Sequence, residues 1–538
     1  MRPKLRNRIG FTLLAICFLA SLSYRVRSHM QTAESSRSET VTIRFAHWQL
    51  ENGAREAFEK IAEEYTKLNP KVMVVQLPIP EEIYPNWLVT QLVGGTAPDL
   101  IEVILDAGVN DERIAHFFTP LTDLADAPNP YNKGTDLDGI PLRETFFDGM
   151  KGGYFNNLVE YYAVPVSCPT VRMFFNLELL RKITGSDHIP DTYAEMIRLF
   201  SRVKEYSDRE GVRIFPIAGA KSNSLQLMNR LFNGQTQTLV ENLNPVGIIN
   251  ENEVDCSVRR ASDYLAGRWS LDSAAVRSGF NLMREISQQM QPGFLRAERE
   301  DATLLFIRGQ ALIITSGSWD ATSIRQQATF PVGLAPLPFP TPQDSTYGKY
   351  TKGAPSEAGN KAAAIFALTR NSAHPEVARD FLLFLASRSG NQIWTDISGW
   401  PPAIIGTKVR KDIAPFLPIS EGYVLGLQPN ISWMGFLDLT SCCTTHYHLL
   451  FGSNGSAEAF VQAVKPLYGD AIVSDLRRIL RSNQEIVKRN DTQFAALTWI
   501  ARNHLTADAD RKLDQFLQSA TLTDRRLYQT RLALAAKQ

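Results

Sequence analysis

The sequence has few cysteines, almost no excess of charge and, after its first 22 residues, no apolar run long enough to span a membrane. It contains 5 cysteines among 538 residues and carries a formal net charge of +1. A chain of this length can bury a core that needs no disulfides, and it lacks the basic excess of a nucleic-acid-binding protein. We therefore expect a soluble globular protein of two or three domains that does not bind nucleic acid.

Motifs of catalysis and of cofactor binding are also missing. There is no G-x-S-x-G, H-E-x-x-H, P-loop or glycine-rich dinucleotide loop. The segment 442–448 contains two cysteines and two histidines, but zinc sites favour separated cysteine pairs. For Cys442 and Cys443 we predict a vicinal disulfide, or one buried and one paired cysteine. We predict no enzyme activity, no metal and no cofactor.

The N-terminus has the pattern of an export signal. Arg2, Lys4 and two further arginines precede an apolar stretch over 11–22, which is typical of a secretory signal and shorter than a comfortable membrane span of about 20 residues. The small residues Ser21 and Ser23 have the spacing that favours cleavage, whereas Arg25 and Arg27 favour an uncleaved anchor, and both alternatives stay open. We assign 1–40 to the signal or anchor and a polar linker. The rest is expected in the periplasm or on the extracytoplasmic face of the membrane.

After the linker, strand and helix patterns alternate. Apolar residues alternate with polar ones over 41–45, recur at helical spacing over 54–68, and run almost without interruption over 72–77. Such an apolar strand usually lies inside a parallel sheet that is covered on both faces. The same succession returns later, where Thr192 and Glu195 fit a helix capping box. This order predicts an α/β fold, whereas residues beyond about 455 are predicted to be wholly helical.

Six groups of segments, in one order, carry a family resemblance. They are 41–48 with 65–74, 95–101, 163–170 with 173–176 and 190–195, 306–312 with 317–319, 332–338, and 374–381 with 399–403. Together they resemble the family 1 extracellular solute-binding proteins, which include maltose- and other sugar-binding proteins of ABC importers. Two departures are that Tyr193 stands where the family often has tryptophan, and that 466–538 has no recognised counterpart.

The resemblance implies a periplasmic-binding-protein-like fold of two α/β lobes joined by a hinge. By analogy the first lobe takes 41–165 with 337–398, the second takes 166–336 with 399–465, and 466–538 form a C-terminal helical extension. Ligand would bind in the cleft between the lobes.

The function implied is that of the extracytoplasmic solute-binding component of an ABC importer. It would be a monomer that captures a small polar solute by hinge closure and meets the importer permease subunits. Carbohydrate is the leading ligand class. The alternatives are a membrane-tethered sensor or adaptor, and an exported glycan hydrolase, which would need a close carboxylate pair.

Binding residues are expected at the carboxyl ends of strands, where open α/β sheets bind ligands. A sugar needs flat apolar faces together with a few placed polar groups. The candidates at strand ends or near the lobe crossings are His47, Trp48, Gln49, Asp106, Ser167, Trp319, Asp320 and Trp400. Each has a structural alternative: His47 and Trp48 could pack against the first sheet, Asp106 could cap a helix, and Trp319 could cover the second core.

Overall fold

The computed structural model describes residues 40–103, 111–156, 158–243, 253–358, 362–431, 436–506 and 508–536. Residues 1–39 of the predicted signal or anchor and linker (1–40), and the candidate Asp106, lie outside the described residues. Within the described part, no helix combines the length and apolarity needed to cross a bilayer.

The strands form two main sheets and one short ribbon. In chain order they are β1 Val41–His47, β2 Val72–Pro78, β3 Leu100–Glu102, β4 Tyr154–Phe155, β5 Glu160–Tyr161, β6 Ala163–Ser167, β7 Val171–Asn176, β8 Phe215–Ala218, β9 Ala311–Gly317, β10 Val332–Ala335 and β11 Ala363–Leu368.

The helices lie between the strands and, at the end of the chain, beyond them. They are α1 Asn52–Leu68, α2 Tyr84–Gly94, α3 Asp111–Phe117, α4 Thr122–Asp126, α5 Leu177–Thr184, α6 Tyr193–Glu210, α7 Lys221–Gln235, α8 Gln237–Leu243, α9 Glu253–Leu265, α10 Ala274–Ser287, α11 Arg299–Ile307, α12 Ser318–Gln327, α13 Pro375–Leu385, α14 Arg388–Ser398, α15 Leu437–Phe451, α16 Ala457–Arg502 and α17 Ala509–Ala535.

The first sheet has the order β2-β1-β3-β11-β6 and is the centre of the first lobe. Strand β1 pairs in parallel with β2 and β3, whereas β11 pairs antiparallel with β3 and β6. Phe45 and Phe58 belong to the core cluster around this sheet. Its parallel part places the carboxyl ends of β1 and β3 at one edge, where the sequence predicts ligand binding.

The second sheet has the order β10-β7-β9-β8 and is the centre of the second lobe. Strand β9 pairs antiparallel with β7 and parallel with β8. A separate core cluster contains Met173, Phe200 and Phe232. The described chain passes from the first sheet to the second between β6 and β7, and returns between β10 and β11. The prediction of an α/β fold with two lobes and a C-terminal helical extension is confirmed.

Some packing contacts bear on where the lobes divide. Phe339 and Tyr347 pack in the second-lobe cluster, whereas Trp400 and Ile404 pack in the first-lobe cluster. The division proposed from the sequence remains a proposal, and these contacts favour moving its boundaries near 337 and 399.

Strand β2 differs from its expected place inside a covered sheet. It lies at the edge of the first sheet, and most of its residues are only partly buried. Helix α1 covers one face of this strand. The apolar run therefore predicted the strand correctly, but the prediction that both of its faces are covered is wrong. A run of apolar residues does not show how many elements pack on the strand.

The cysteines also differ from expectation. Cys168, Cys256, Cys442 and Cys443 are all free, so the predicted vicinal disulfide is not formed. Cys443 is buried and its thiol lies 3.6 Å from the carbonyl oxygen of Pro429. Burial raises the pKa of Cys442 and Cys443 above the usual range, which keeps these thiols protonated.

Candidate functional site

The candidate site is the cleft where helix α12 of the second lobe approaches the first lobe. Strand β9 ends at Gly317 and α12 begins at the next residue. The backbone N–H of Ser318 donates to the carbonyl of Thr170 at 3.0 Å. The hydroxyl of Thr322 donates to the carbonyl of Ser398, on α14, at 3.1 Å. Since α14 packs on α1 of the first lobe, the start of α12 lies at the junction of the lobes.

Trp319 lies at this junction and packs, partly buried, against the first-lobe core. Its ring folds back over the end of β9. A Cβ atom on Gly317 would lie 2.2 Å from the Trp319 ring, so this position of the ring requires glycine. The structure therefore places an aromatic ring from the second lobe against the first, and part of that ring stays accessible.

Asp320 follows Trp319 and is held by groups of the second lobe. The Ser316 hydroxyl donates to its carboxylate, and the Arg299 guanidinium lies 3.9 Å from it. Burial by itself would lower the pKa of Arg299, but Asp320 and Glu51 carboxylates raise it above its usual range. Asp320 and Arg299 thus form a charged pair beside the tryptophan.

Glu51 is a residue that the sequence prediction missed. It stands at the N-cap of α1 and is partly buried. Its Oε2 atom is buried and, within the described part of the chain, accepts no hydrogen bond. Burial raises the pKa of Glu51, and the charge of Arg299 opposes that rise. A first-lobe carboxylate thus lies within electrostatic range of the second-lobe pair, and one of its oxygens has unused hydrogen-bonding capacity.

Trp48 and Gln49 lie beside a buried carboxyl group. The amide of Gln49 donates to Glu102 Oε1 at 2.7 Å, and the backbone N–H of Trp48 donates to Oε2 at 3.2 Å. Trp48 packs edge-on against Tyr84, with ring centroids 5.0 Å apart, and stays partly exposed. Gln49 is buried. The arrangement leaves Trp48 available to a ligand and engages Gln49 inside the protein.

The Glu102 carboxyl group is fully buried at the end of β3. Burial raises its pKa to about 8, although the hydrogen bonds from Gln49 and Trp48 oppose the rise. The group is therefore largely protonated at neutral pH. Because it accepts hydrogen bonds from Trp48 and Gln49, it holds the chain in place at this edge of the cleft.

His47 lies in the first-lobe core. Its ring is fully buried beside Phe45 and Phe58, and Nε2 is 3.0 Å from the side-chain oxygen of Gln76. Burial lowers the pKa of His47 to about 4, so the imidazole is neutral at physiological pH. This placement favours the structural alternative.

Ser167 and Trp400 lie where the chain passes between the lobes. The Ser167 hydroxyl donates to the carbonyl of Pro401 at 2.6 Å, and the side chain is fully buried. Trp400 is buried against Trp394 in an edge-to-face contact, with centroids 5.4 Å apart. Their contacts serve the packing of the hinge region, and their role in binding stays a prediction.

A cavity and a cluster of metal-ligating side chains lie elsewhere in the described part of the chain. A cavity of about 580 Å³ is lined by one face of α16, from Asp470 to Arg481. Its described lining has no aromatic ring, which makes it a poor match for a sugar. His188, Asp191 and Glu195 lie close enough to share a metal, but they are largely exposed and Glu195 is engaged in the capping box of α6.

Comparisons with known proteins agree with the two-lobed arrangement. Residues 51–392 match the family model of the bacterial extracellular solute-binding proteins. The multiple sugar-binding protein of Streptococcus mutans is 22% identical over 454 residues, which cover 81% of this chain and 93% of that protein. An uncharacterised ABC transporter extracellular-binding protein of Pyrococcus horikoshii is 21% identical over 413 residues, which cover 73% of this chain and 78% of that protein.

Solved structures share the fold. The GacH receptor of Streptomyces glaucescens superposes with a TM-score of 0.55 at 15% identity, covering 80% of this chain and 98% of that one. The solute-binding protein RafE in complex with raffinose gives 0.54 at 18% identity, covering 80% and 100%. These neighbours are matched almost completely, whereas a fifth of the present chain has no counterpart in them.

Proposed function

The chain belongs to the bacterial extracellular solute-binding protein family, and from that premise we propose that it captures a carbohydrate in the cleft between its lobes. The names of its relatives support this ligand class, since they include a multiple sugar-binding protein and a protein bound to raffinose. We propose further that the loaded protein delivers the sugar to the permease subunits of an ABC importer.

The observation that carries the proposal is that Trp319 of the second lobe packs against the first-lobe core, while Glu51 of the first lobe lies within electrostatic range of Asp320, the residue next to Trp319. A tryptophan ring offers the flat apolar face that a sugar ring covers, and an unpaired carboxylate oxygen accepts from a sugar hydroxyl. Such pockets combine apolar surface with a few placed polar groups. Trp48, Asp320 and Arg299 would complete the set.

The mechanism follows from the placement of these groups on two lobes. A ligand that contacts Trp319 and Glu51 at once interacts more strongly with the closed arrangement than with an open one. Ligand binding then shifts the population towards closure by that difference in affinity.

We propose that the bound sugar leaves unchanged. The Asp320 carboxylate accepts a hydrogen bond from the Ser316 hydroxyl and lies 3.9 Å from the Arg299 guanidinium, and these contacts hold it within the second lobe. After incubation, chromatography should recover the added oligosaccharide intact, and the appearance of shorter sugars would argue for a hydrolase.

For location we propose the periplasm or the extracytoplasmic face of the membrane, with segment 1–40 serving as signal or anchor and linker. The N-terminal sequence of the protein recovered from membranes and from the soluble exported fraction would distinguish a cleaved signal from a retained anchor. Retention alone would favour the sensor or adaptor alternative.

The binding proposal is tested by a thermal-shift screen against mono- and oligosaccharides, followed by calorimetry on variants. A sugar at about 100 times its Kd should stabilise the fold by roughly 2.7 kcal/mol. We expect Trp319→Ala to weaken binding by about tenfold or more, which corresponds to at least about 1.4 kcal/mol.

Trp499→Ala provides the matched control, since Trp499 is 62% exposed on α16, and its loss should leave sugar affinity unchanged. Equal effects of the two substitutions, or no stabilisation by any sugar, would argue against a carbohydrate site at this cleft.

A further inference from the structure

The C-terminal helices α16 and α17 form a hairpin that begins and ends on the second lobe. Tyr468, Ile472 and Leu476 of α16 belong to the second-lobe core cluster, and so does Ala533 near the end of α17. Both helices lie beyond residue 392, where the match to the family model ends. Most of the hairpin belongs to the C-terminal helical extension that the sequence predicts over 466–538.

Between these anchoring points the hairpin extends as a long arm. Ile479 is the last apolar residue of α16 in the described chain that packs on the second-lobe core cluster, and α16 continues to Arg502. At 1.5 Å per residue this stretch measures about 35 Å. The two helices contact each other along it: the rings of Phe494 and Phe516 stack with centroids 6.5 Å apart, and Ala501 is buried near the turn. Close packing of two long helices makes the arm stiff.

The far end of the arm meets the first lobe. Arg511, in the first turn of α17, places Nη1 at 3.4 Å from Oε1 of Glu160. Glu160 is the first residue of β5, and its carboxylate is largely buried and accepts from the Thr122 hydroxyl of α4. The glutamate is thus held in place by the first lobe, and the arginine reaches it from an element rooted in the second.

The arm therefore joins the lobes at a point separate from the chain crossings. When the hinge rotates, the end of an arm fixed to one lobe moves relative to the other lobe. The Arg511–Glu160 pair can persist only in arrangements close to the present one, in which Glu51 and Arg299 also lie within electrostatic range across the cleft.

We propose that the hairpin is a strap: its tip fastens to Glu160 of the first lobe and favours the lobe arrangement in which the cleft residues face each other. The part of the proposal that concerns sugar affinity rests on the proposed function. Arg511 is half exposed, and pairs of this kind contribute about 0.2–1 kcal/mol. The strap accordingly biases the hinge by at most about fivefold in population and does not lock it.

The test measures lobe separation without ligand. Spin labels at Val93→Cys on the first lobe and Val212→Cys on the second, both exposed positions, report the distance by pulsed electron resonance. Native Cys17, Cys256 and Cys442 are replaced by serine in every chain. We expect Arg511→Gln and Glu160→Gln each to broaden the distance distribution and shift it. Exchange of the two charges, by Arg511→Glu with Glu160→Arg, should restore it.

Lys512→Gln is the matched control, because Lys512 pairs with Asp508 inside the hairpin. It should leave the distances unchanged. Sugar affinity should fall, by at most about fivefold, in the Arg511 and Glu160 variants only. Unchanged distances in both single variants of a folded protein would overturn the strap, whatever the protein binds. A strap that behaves as expected while no sugar changes the distances in the wild type would instead count against the proposed function.

Discussion

At the scale of single residues, two buried titratable groups near the strand ends of the first sheet make the stability depend on pH in opposite directions. Glu102 has a folded-state pKa of about 8 because it is buried, which lies above its usual value near 4.3. His47 has a folded-state pKa of about 4, also because of burial, which lies below its usual value near 6.5. Each therefore favours its neutral form in the folded protein.

The sign of each contribution follows from proton binding. Between about pH 4.3 and 8 the folded state holds the Glu102 proton more tightly than the unfolded state, so its contribution falls as pH rises. Between about pH 4 and 6.5 the unfolded state binds the His47 proton more tightly, so that contribution rises with pH. The two oppose each other below pH 6.5, and above it the Glu102 contribution falls unopposed by His47.

We predict that Glu102→Gln reduces the loss of thermal stability between pH 6.5 and 8. The amide keeps acceptor and donor atoms at the site but cannot ionise, so the variant's Tm should fall less than that of the wild type. Glu56→Gln, an exposed change on the same lobe, should not reduce the loss. Differential scanning calorimetry at the two pH values measures the difference, and an equal fall in Tm for Glu102→Gln and wild type would contradict the assignment.

At the scale of elements, the junction between β9 and α12 decides where the cleft tryptophan points. Gly317 has a φ of −87°, which any residue can adopt. Glycine is therefore required at this position only because a Cβ atom would clash with the Trp319 ring. The junction therefore couples a small residue at the end of a strand to the position of a binding ring.

We predict that Gly317→Ala displaces the Trp319 ring without unfolding the second lobe. Relief of such a contact typically costs about 1–3 kcal/mol, and exposure of the indole should shift the fluorescence maximum to longer wavelength. Gly94→Ala is the control, since a Cβ at that site would meet only the Thr96 hydroxyl at an ordinary 3.5 Å. The Gly317 effect should vanish in a Trp319→Phe background, and its persistence there would place the fluorescence change elsewhere.

At the scale of the whole molecule, a buried ion-pair network attaches the crossing segments to the second lobe. Glu357, between β10 and β11, accepts two hydrogen bonds at 2.9 Å from Arg172 of β7 and a third from Arg230 of α7. Arg172 also donates to carbonyl oxygens of Pro415 and Leu417. The fully buried guanidinium of Arg172 thus binds two separate segments to β7: the one that contains Glu357 and the one at 415–417.

We predict that Glu357→Ala lowers the free energy of unfolding by about 3–5 kcal/mol, because it leaves the buried charge of Arg172 uncompensated. The matched control is Glu241→Ala, which removes the exposed partner of Lys352 and should cost at most about 1 kcal/mol. Urea denaturation of both variants measures the two changes. A loss for Glu357→Ala no larger than that of the control would show that water or a neighbouring group compensates Arg172.

Local patterns in the sequence were sufficient to predict helices and strands and the α/β fold class. The alternation over 41–45 indicated β1, and Thr192 with Glu195 forms the predicted capping box. Short-range periodicity and capping reflect neighbours within a few residues, so one chain displays them directly. The order of six short motifs was sufficient to predict the family, and the match of residues 51–392 to the family model confirms that prediction.

Tertiary structure alone decided which side chains at the strand ends are accessible. His47 and Gln49 flank Trp48, yet both are buried and only Trp48 stays partly exposed. Glu51 became a candidate because Arg299, 248 positions away along the sequence, approaches it across the cleft. Burial and electrostatic partners depend on elements distant in the chain, and no local pattern encodes them. The same reason explains why helicity of the C-terminal extension was predictable, whereas its reach to Glu160 on the other lobe was not.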